Sequence, residues 1–226
     1  MKSTIHEHQK NIFKIVSKTV KNTIAQIKKI GLLIAFGLAI VSCTPPPVPT
    51  PPPPPCSTTG TDFQNIFATV LGSNSLYDNY IFMDLVTHEY TFKMLATKQI
   101  CKIGYEGNTN LASLTTPYTI EIWDTTSTPT LIYTENQSFG STLTYYTPFT
   151  TLTLNAGSTY TIKRIVNNYG GNITNTIGRI CRFNSGGLPS GATATGSYMK
   201  ILSSNFYGTG GPVPNYGIPF IDIAFQ

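Results

Sequence analysis

The stretch Leu152-Thr-Leu-Asn-Ala-Gly-Ser-Thr-Tyr-Thr-Ile162 shows how the folded part of this chain is built. Its two leucines flank a threonine, and Tyr160 and Ile162 flank another, which is the period-two alternation of a strand with one buried face. Gly157, between the two segments, can adopt the positive φ of a tight turn. The stretch therefore predicts two antiparallel strands that bury their apolar side chains on the same side.

Similar short segments follow one another over most of residues 57–226, separated by clusters of Gly, Asn, Ser and Pro. About 170 residues are enough for one domain with a sizeable core. Because the segments alternate apolar with polar residues, we predict an all-β fold, an antiparallel jelly-roll or Greek-key β-sandwich, with clear helix signals confined to the N-terminal leader. The predicted strands are Glu89–Leu95, Gln99–Tyr105, Tyr118–Trp123, Thr130–Glu135, Phe149–Leu154, Thr159–Val166, Ile177–Phe183, Ser197–Leu202 and Pro219–Phe225.

Two resemblances accompany this pattern. The segment around Tyr160 resembles the tyrosine corner of Greek-key sandwiches, in which the Tyr hydroxyl bonds back to nearby backbone. In their order, Phe92–Tyr105, Tyr118–Asp124, Leu152–Ile162 and Ile218–Phe225 resemble the strands of uncharacterised bacterial jelly-roll-like domains, which are extracellular modules of lipoproteins and secreted proteins. This likeness covers most of residues 80–226. It implies a fold and a compartment, and no active site comes with it.

The N-terminal segment Ile30–Val41 contains no charged residue and directly follows Lys28 and Lys29. As a helix it would reach about 18 Å, whereas the hydrocarbon core of a membrane is about 30 Å thick. It is therefore too short to span a bilayer, and it predicts the core of a helical signal peptide.

The end of this segment, Ile40-Val41-Ser42-Cys43, resembles the lipobox of bacterial lipoproteins. The resemblance implies that residues 1–42 are removed by cleavage after Ser42, that the Cys43 thiol carries lipid, and that the new amino terminus takes a fatty acyl chain such as palmitate. Two or more chains make membrane attachment stable. In Gram-negative lipoproteins, an Asp directly after the lipidated cysteine favours retention in the inner membrane. This chain has Thr44 at that position, so the resemblance favours sorting to the outer membrane. The alternative is that the segment is an uncleaved anchor and that Cys43 is not modified.

Residues 43–56 form a linker after the lipidated cysteine. The twelve residues Thr44–Pro55 include nine prolines. Such a run adopts polyproline II and, at about 3.1 Å per residue, would hold the next domain about 37 Å from the lipid.

The charge of the mature chain differs from that of the whole sequence. The formal net charge is +5, but residues 1–42 hold seven lysines and one glutamate. From Cys43 onward, eight basic residues accompany nine acidic ones. Because the mature chain is then nearly neutral, binding of nucleic acid through bulk charge is disfavoured.

Three cysteines remain after Cys43 in a compartment where disulfides persist. Cys101 shares its predicted strand face with Ile103 and Tyr105, so it and Cys181 can both be small core residues. The alternative is a disulfide between Cys101 and Cys181, which would leave Cys56 as a free or intermolecular thiol.

The sequence offers little catalytic chemistry. The mature chain has a single histidine, His88, which we place at a strand edge or turn, and it contains none of the common hydrolase, zinc or calcium motifs. The spacing of Asp84, Glu89, Glu121 and Asp124 selects no carboxylate pair. We therefore expect a protein that is not an enzyme and that uses no cofactor and no metal.

The aromatic residues are the best candidates for ligand binding. Burying Ile120 and Ile122 would turn the only tryptophan, Trp123, to the opposite face of its strand, where it could stack against a sugar ring. Tyr145 and Tyr146 could supply further contacts. The alternative is that a loop or a second layer covers this face.

Two functions remain open. The first is an outer-membrane lipoprotein whose sandwich binds an extracellular ligand such as a glycan through an outward aromatic face. The second is a structural or accessory lipoprotein that docks on an envelope protein complex and recognises no small ligand. An exposed aromatic strip with convergent polar groups would favour the first, and a flat apolar patch would favour the second.

Overall fold

The computed structural model describes residues 20–21, 23–24, 55–83, 86–169, 177–184, 187–189, 191–208 and 211–226. The chain separates into two compact units, Met1–Pro52 and Pro53–Gln226. In the first unit the four described residues are helical. The predicted lipobox with Cys43, and all of the proline linker before Pro55, lie outside the described residues.

The second unit is built mainly of strands. Its described part contains the α-helices α1 (Asp62–Ser73) and α2 (Thr109–Ala112), the short 3-10 helix Gly191–Ala194, and the strands β1 (Tyr77–Met83), β2 (Thr87–Met94), β3 (Lys98–Tyr105), β4 (Tyr118–Asp124), β5 (Thr130–Gln137), β6 (Thr144–Tyr146), β7 (Leu152–Leu154), β8 (Thr159–Val166), β9 (Ile177–Phe183), β10 (Met199–Gly208), β11 (Gly211–Pro214), β12 (Gly217–Pro219) and β13 (Ile221–Phe225).

The strands form three sheets in which every pairing among the described strands is antiparallel. The largest sheet has the order β11-β10-β2-β8-β4-β5, the second has β13-β3-β6 with β7 also on β3, and the third has β1-β9-β12. Strands far apart in sequence are neighbours, as in Greek-key topologies. The predicted all-β antiparallel sandwich is therefore confirmed.

The core lies between the inner faces of these sheets. In β4 the burial alternates, with Tyr118, Ile120 and Ile122 fully buried. Ile103 of β3 and Ile223 of β13 approach from the second sheet, and both are also fully buried. All five side chains belong to one continuous cluster of buried apolar residues, which is the main source of stability for a fold of this kind.

The turn after β7 forms as predicted. Gly157 has a φ of +83°, and Leu154 before it and Ile162 after it are fully buried. The Tyr160 hydroxyl accepts a hydrogen bond from the Asn155 backbone N–H at 3.0 Å. The contact of the tyrosine corner is therefore present, and it fixes the path of the chain between β7 and β8.

The prediction that clear helix signals are confined to the leader was wrong, because α1 begins the folded unit. The Thr61 hydroxyl caps this helix by accepting the Gln64 N–H at 3.1 Å. Its buried apolar residues recur every three or four positions and pack on the rings of Tyr90 and Phe220, with centroids 5.3 and 4.9 Å from Phe63 and Phe67.

Several strand boundaries also differ from the prediction. The predicted strand Pro219–Phe225 is divided between β12 and β13, which belong to different sheets. The break lies at Phe220, whose ring packs against α1. Phe149 precedes β7 and is 69% exposed. Strands β1, β6 and β11 were not predicted.

Candidate functional site

The outer face of the six-stranded sheet brings together the most promising binding residues. In β4, Thr119, Glu121 and Trp123 alternate with the buried residues and are partly exposed, so Trp123 points away from the core as its position predicts. Side chains on the neighbouring strands β8, β2 and β10 continue this surface. We call it the Trp123 face, and it consists of Glu89, Thr91, Glu121, Trp123, Thr161, Lys163 and Tyr207.

Strand register places these side chains in two parallel rows. In one row Glu121 lies opposite Lys163 of β8, and Lys163 lies opposite Glu89 of β2. In the adjacent row Trp123 lies opposite Thr161, which lies opposite Thr91. Glu121, Lys163 and Glu89 therefore form a charged row. Beside it, Trp123, Thr161 and Thr91 form a row of one indole and two hydroxyl groups.

The indole of Trp123 is held by its neighbours. Its Nε1–H donates to Glu121 Oε2 at 2.7 Å, and the Lys163 ammonium lies 5.3 Å from the centroid of the ring. A cation at this distance is attracted by the π-electrons of the ring. These two contacts fix the orientation of the ring before any ligand arrives.

The charged row holds two carboxylates, Glu121 and Glu89, and one ammonium, Lys163, which pairs with Glu89. Lys163 Nζ lies 3.1 Å from Glu89 Oε2, and the exposed fractions of the two side chains are 28% and 12%. The Tyr207 hydroxyl donates to the other Glu89 oxygen at 3.1 Å. Burial and the Glu89 carboxylate raise the pKa of Tyr207, so its hydroxyl stays a donor at neutral pH. The row is thus an ordered set of donors and acceptors.

The hydroxyl row is equally ordered. Thr91 Oγ1 and Thr161 Oγ1 are 2.8 Å apart, and Thr161 is only 5% exposed although it belongs to the outer face. A surface of this kind, with a fixed aromatic ring beside polar groups, suits a ligand that has both an apolar face and hydroxyl groups.

Tyr145 and Tyr146 do not join Trp123, because both lie on β6 in the second sheet. The Tyr145 hydroxyl donates to Asp222 Oδ2 at 2.5 Å, and burial together with this carboxylate raises the pKa of Tyr145. The ring of Tyr146 packs against Phe139 at 5.8 Å, and burial raises its pKa. Both tyrosines therefore lie in a different sheet from Trp123, and the structure does not bring the three predicted stacking residues together.

Sequence reasoning missed the buried carboxylate that Tyr145 contacts. Asp222 is fully buried and accepts hydrogen bonds from Thr61 Oγ1 at 2.6 Å and Gln64 Nε2 at 2.7 Å. Burial raises the pKa of Asp222, although the hydrogen bonds from Thr61, Tyr145 and Gln64 oppose this shift. Its partners show that Asp222 ties the start of α1 to β6 and β13. The one sequence signal for it was an acidic residue within an apolar terminal strand.

The cysteine pairing also differs from the alternatives considered. Cys101 is bonded to Cys56, with their Cα atoms 5.9 Å apart, and Cys181 is a buried free thiol. The register between β3 and β13 shifts at Cys101, which is the extra residue of a β-bulge. Cys101 is buried, at 8% exposed, but it does not belong to the apolar cluster that contains Ile103. A Cys101–Cys181 disulfide is therefore wrong, and so is a free thiol at Cys56.

Of the remaining polar candidates, Asp84 lies outside the described residues. His88 is the second residue of β2, is fully buried, and packs against the Phe206 ring at 4.8 Å. Asp124 accepts the Thr126 N–H in the turn after β4. Among the described residues, no group of three His, Cys, Asp or Glu side chains could hold a metal ion.

No helix in the described part of the chain is long and apolar enough to cross a membrane. Comparisons with protein-family models, with curated proteins and with solved structures found no match to this chain.

Proposed function

We propose that this protein is an outer-membrane lipoprotein, acylated at Cys43, whose β-sandwich binds an extracellular glycan on the Trp123 face. The observation that carries the proposal is the indole of Trp123, held partly exposed by the Glu121 hydrogen bond at the end of a polar row. In this proposal the protein is a binding module and not an enzyme.

The proposed contacts follow from the chemistry of a sugar ring. One face of a pyranose carries mainly C–H groups, which pack favourably on an aromatic ring. Its hydroxyls would exchange hydrogen bonds with Glu121, Lys163 and Thr91 beside that ring. Because Glu121 is already held by Trp123, Lys163 by Glu89 and Thr91 by Thr161, little conformational entropy is lost on binding.

The membrane anchor is the second part of the proposal. The lipobox resemblance of Ile40–Cys43 supports it, and the proline linker would hold the sandwich away from the bilayer, facing the periplasm or the cell exterior. Mass spectrometry of the protein from its native membrane should find an acylated Cys43 as the first residue. An intact peptide before Cys43, or an unmodified thiol, would contradict the anchor.

A glycan array tests the binding surface directly. The full chain in detergent should bind a defined set of glycans, and Trp123→Ala should weaken this binding about tenfold or more, because burying a large apolar side chain contributes about 1.5 to 3 kcal/mol. Phe149→Ala is the matched control, since Phe149 is an exposed ring that does not belong to the Trp123 face. Equal losses from both variants, or no loss from Trp123→Ala, would contradict the proposed site.

The second candidate function, docking on an envelope protein complex, is favoured by a separate surface. Leu131, Ile132 and Phe149 are 40%, 39% and 69% exposed, and they line a groove of about 300 Å³ beside β5, at the end of the six-stranded sheet. Exposed apolar clusters of this kind often mark protein contacts. In this case Phe149→Asp would abolish cross-linking to a membrane partner in cells, while Trp123→Ala would leave it unchanged.

A further inference from the structure

Two lysines lie at one end of the same sheet surface, and a third, on β3 of the second sheet, contacts Tyr198, which directly precedes β10. Lys93 of β2 and Lys200 of β10 are directly opposite each other in the antiparallel ladder. Lys93 is exposed and follows the alternation of Glu89 and Thr91, so it lies on the outer face with them. The ladder continues one step further through the Leu95 N–H, which donates to the Tyr198 carbonyl at 2.7 Å.

The third lysine is placed by an aromatic ring. Tyr198 is 38% exposed, and the Lys98 ammonium lies 4.2 Å from the centroid of its ring. This cation–π contact brings Lys98 to the end of the sheet where Lys93 and Lys200 lie. We call these four residues, Lys93, Lys98, Tyr198 and Lys200, the lysine cluster.

Within the described residues, Lys93, Lys98 and Lys200 form no ion pair, and the carboxylate beside Tyr198 is the buried Asp62, which accepts the Tyr198 backbone N–H at 2.9 Å. The ion pairs there are Lys163–Glu89, Arg179–Glu106 and Arg182–Asp78. Glu89 is the carboxylate nearest in sequence on β2, and it is already engaged by Lys163. Two like charges directly opposite each other in a ladder destabilise the sheet. An anion between the two ammonium groups would remove this repulsion.

The cluster is within reach of a ligand that stacks on Trp123. Lys93 lies two residues beyond Thr91, whose row leads through Thr161 to Trp123. From the spacing of strands and residues, the Cα atoms of Lys93 and Trp123 are about 12 Å apart. The hydroxyls of the two threonines lie between them. An oligosaccharide of a few units could therefore contact both places.

We infer that the ligand of the Trp123 face is an anionic glycan, in which one ring stacks on Trp123 and a carboxylate or another acidic group on a nearby unit binds between Lys93 and Lys200. This inference rests on the proposed glycan-binding function and specifies its ligand class. The polar surface between the two places favours a glycan over an anionic lipid surface, because insertion into a membrane needs continuous apolar contact.

The test compares two matched polymers, polygalacturonate and its methyl ester, which differ in the charge of the acid group. The full chain in detergent should bind polygalacturonate about tenfold more tightly, because hydrogen bonds to charged groups are the strong ones. Raising the salt from about 0.05 M to about 0.5 M NaCl should remove most of this preference.

Substitutions distinguish the contribution of the lysine cluster from that of Trp123. Lys93→Gln and Lys200→Gln should each weaken polygalacturonate binding several-fold and leave binding of the ester unchanged. Lys102→Gln is the matched control, since it removes the same charge from β3 in the second sheet. Trp123→Ala should weaken binding of both polymers.

Each other outcome has a definite meaning. Equal binding of the two polymers, or equal effects of Lys93→Gln and Lys102→Gln, would overturn the anionic ligand while the glycan-binding function stands. Binding of neither polymer would overturn the anionic glycan, and the neutral members of the glycan array would then decide the broader function. Lysine-dependent binding to phosphatidylglycerol vesicles without binding to polygalacturonate would assign the cluster to a lipid headgroup and overturn the inference.

Discussion

Removing the Cys56–Cys101 disulfide tests the covalent link between the end of the proline linker and β3. The bridge joins residues 45 positions apart in the sequence. By the loop-entropy relation, a cross-link of this span stabilises the native state by about 4 kcal/mol at room temperature, because it restricts the unfolded chain. Removing a native disulfide from a small secreted domain typically costs about 2 to 5 kcal/mol. We therefore expect the double variant Cys56→Ser, Cys101→Ser to lose about 2 to 4 kcal/mol of unfolding free energy and about 5 to 15 °C in Tm.

Urea titration of the wild type, the double variant and Cys181→Ser provides the assay. Reductant should shift the wild-type midpoint toward that of the double variant and should leave the double variant unchanged. Cys181→Ser should keep its response to reductant, because burial raises the pKa of the Cys181 thiol to about 12 and it forms no disulfide. Equal unfolding free energies of the wild type and the double variant, or a cross-linked peptide that joins Cys101 to Cys181, would refute this reasoning.

Two further predictions concern the second sheet. Burial raises the pKa of the Asp222 carboxyl above its ordinary value of 3.8. Between pH 3.8 and the raised pKa, Asp222 is therefore protonated in the folded chain and ionised in the unfolded chain. The wild-type unfolding free energy should therefore fall as pH rises from about 3.8 through the raised pKa. Asp222→Asn should remove this slope, and parallel pH profiles of the two proteins would contradict the prediction. A Cβ at Gly104 would overlap the Tyr145 ring, whereas one at Gly72 would meet open space. Gly104→Ala should cost about 1 to 3 kcal/mol in thermal or urea unfolding, and Gly72→Ala, in α1, should stabilise by up to about 1 kcal/mol; similar effects of both would count against the contact.

Features that depend on local patterning were predictable from the sequence. The outward position of Trp123 followed from the burial of Ile120 and Ile122, because successive strand residues point to opposite faces. The contact of Tyr160 with the backbone followed from a turn glycine and two short alternating segments. In both cases the determining residues lie within about ten positions of one another, so no knowledge of distant neighbours was needed.

Features that depend on distant neighbours were not predictable. The disulfide joins Cys101 to Cys56, 45 positions away, and alternation within β3 gives no sign of this bond or of the one-residue bulge at Cys101. Tyr145 and Asp222 are 77 positions apart, and the second sheet alone brings them into contact. The signal for α1 was present in Thr61 and the apolar spacing after it, but the prevailing strand pattern concealed it. Of the Trp123 face, only the β4 residues Glu121 and Trp123 could be anticipated, since Lys163 and Glu89 reach it through strand order.

The position of the Cys56–Cys101 bond determines how the sandwich would respond to mechanical tension. If the chain is tethered upstream of Cys56 and holds a ligand on the Trp123 face, a pull enters the folded unit at Cys56. It then passes through the sulfur atoms directly into β3, so the 44 residues between the two cysteines lie outside the covalent path from the tether to β3. Helix α1 is the first element of this segment, so the bond would prevent the tether from unfolding the chain from α1 onward.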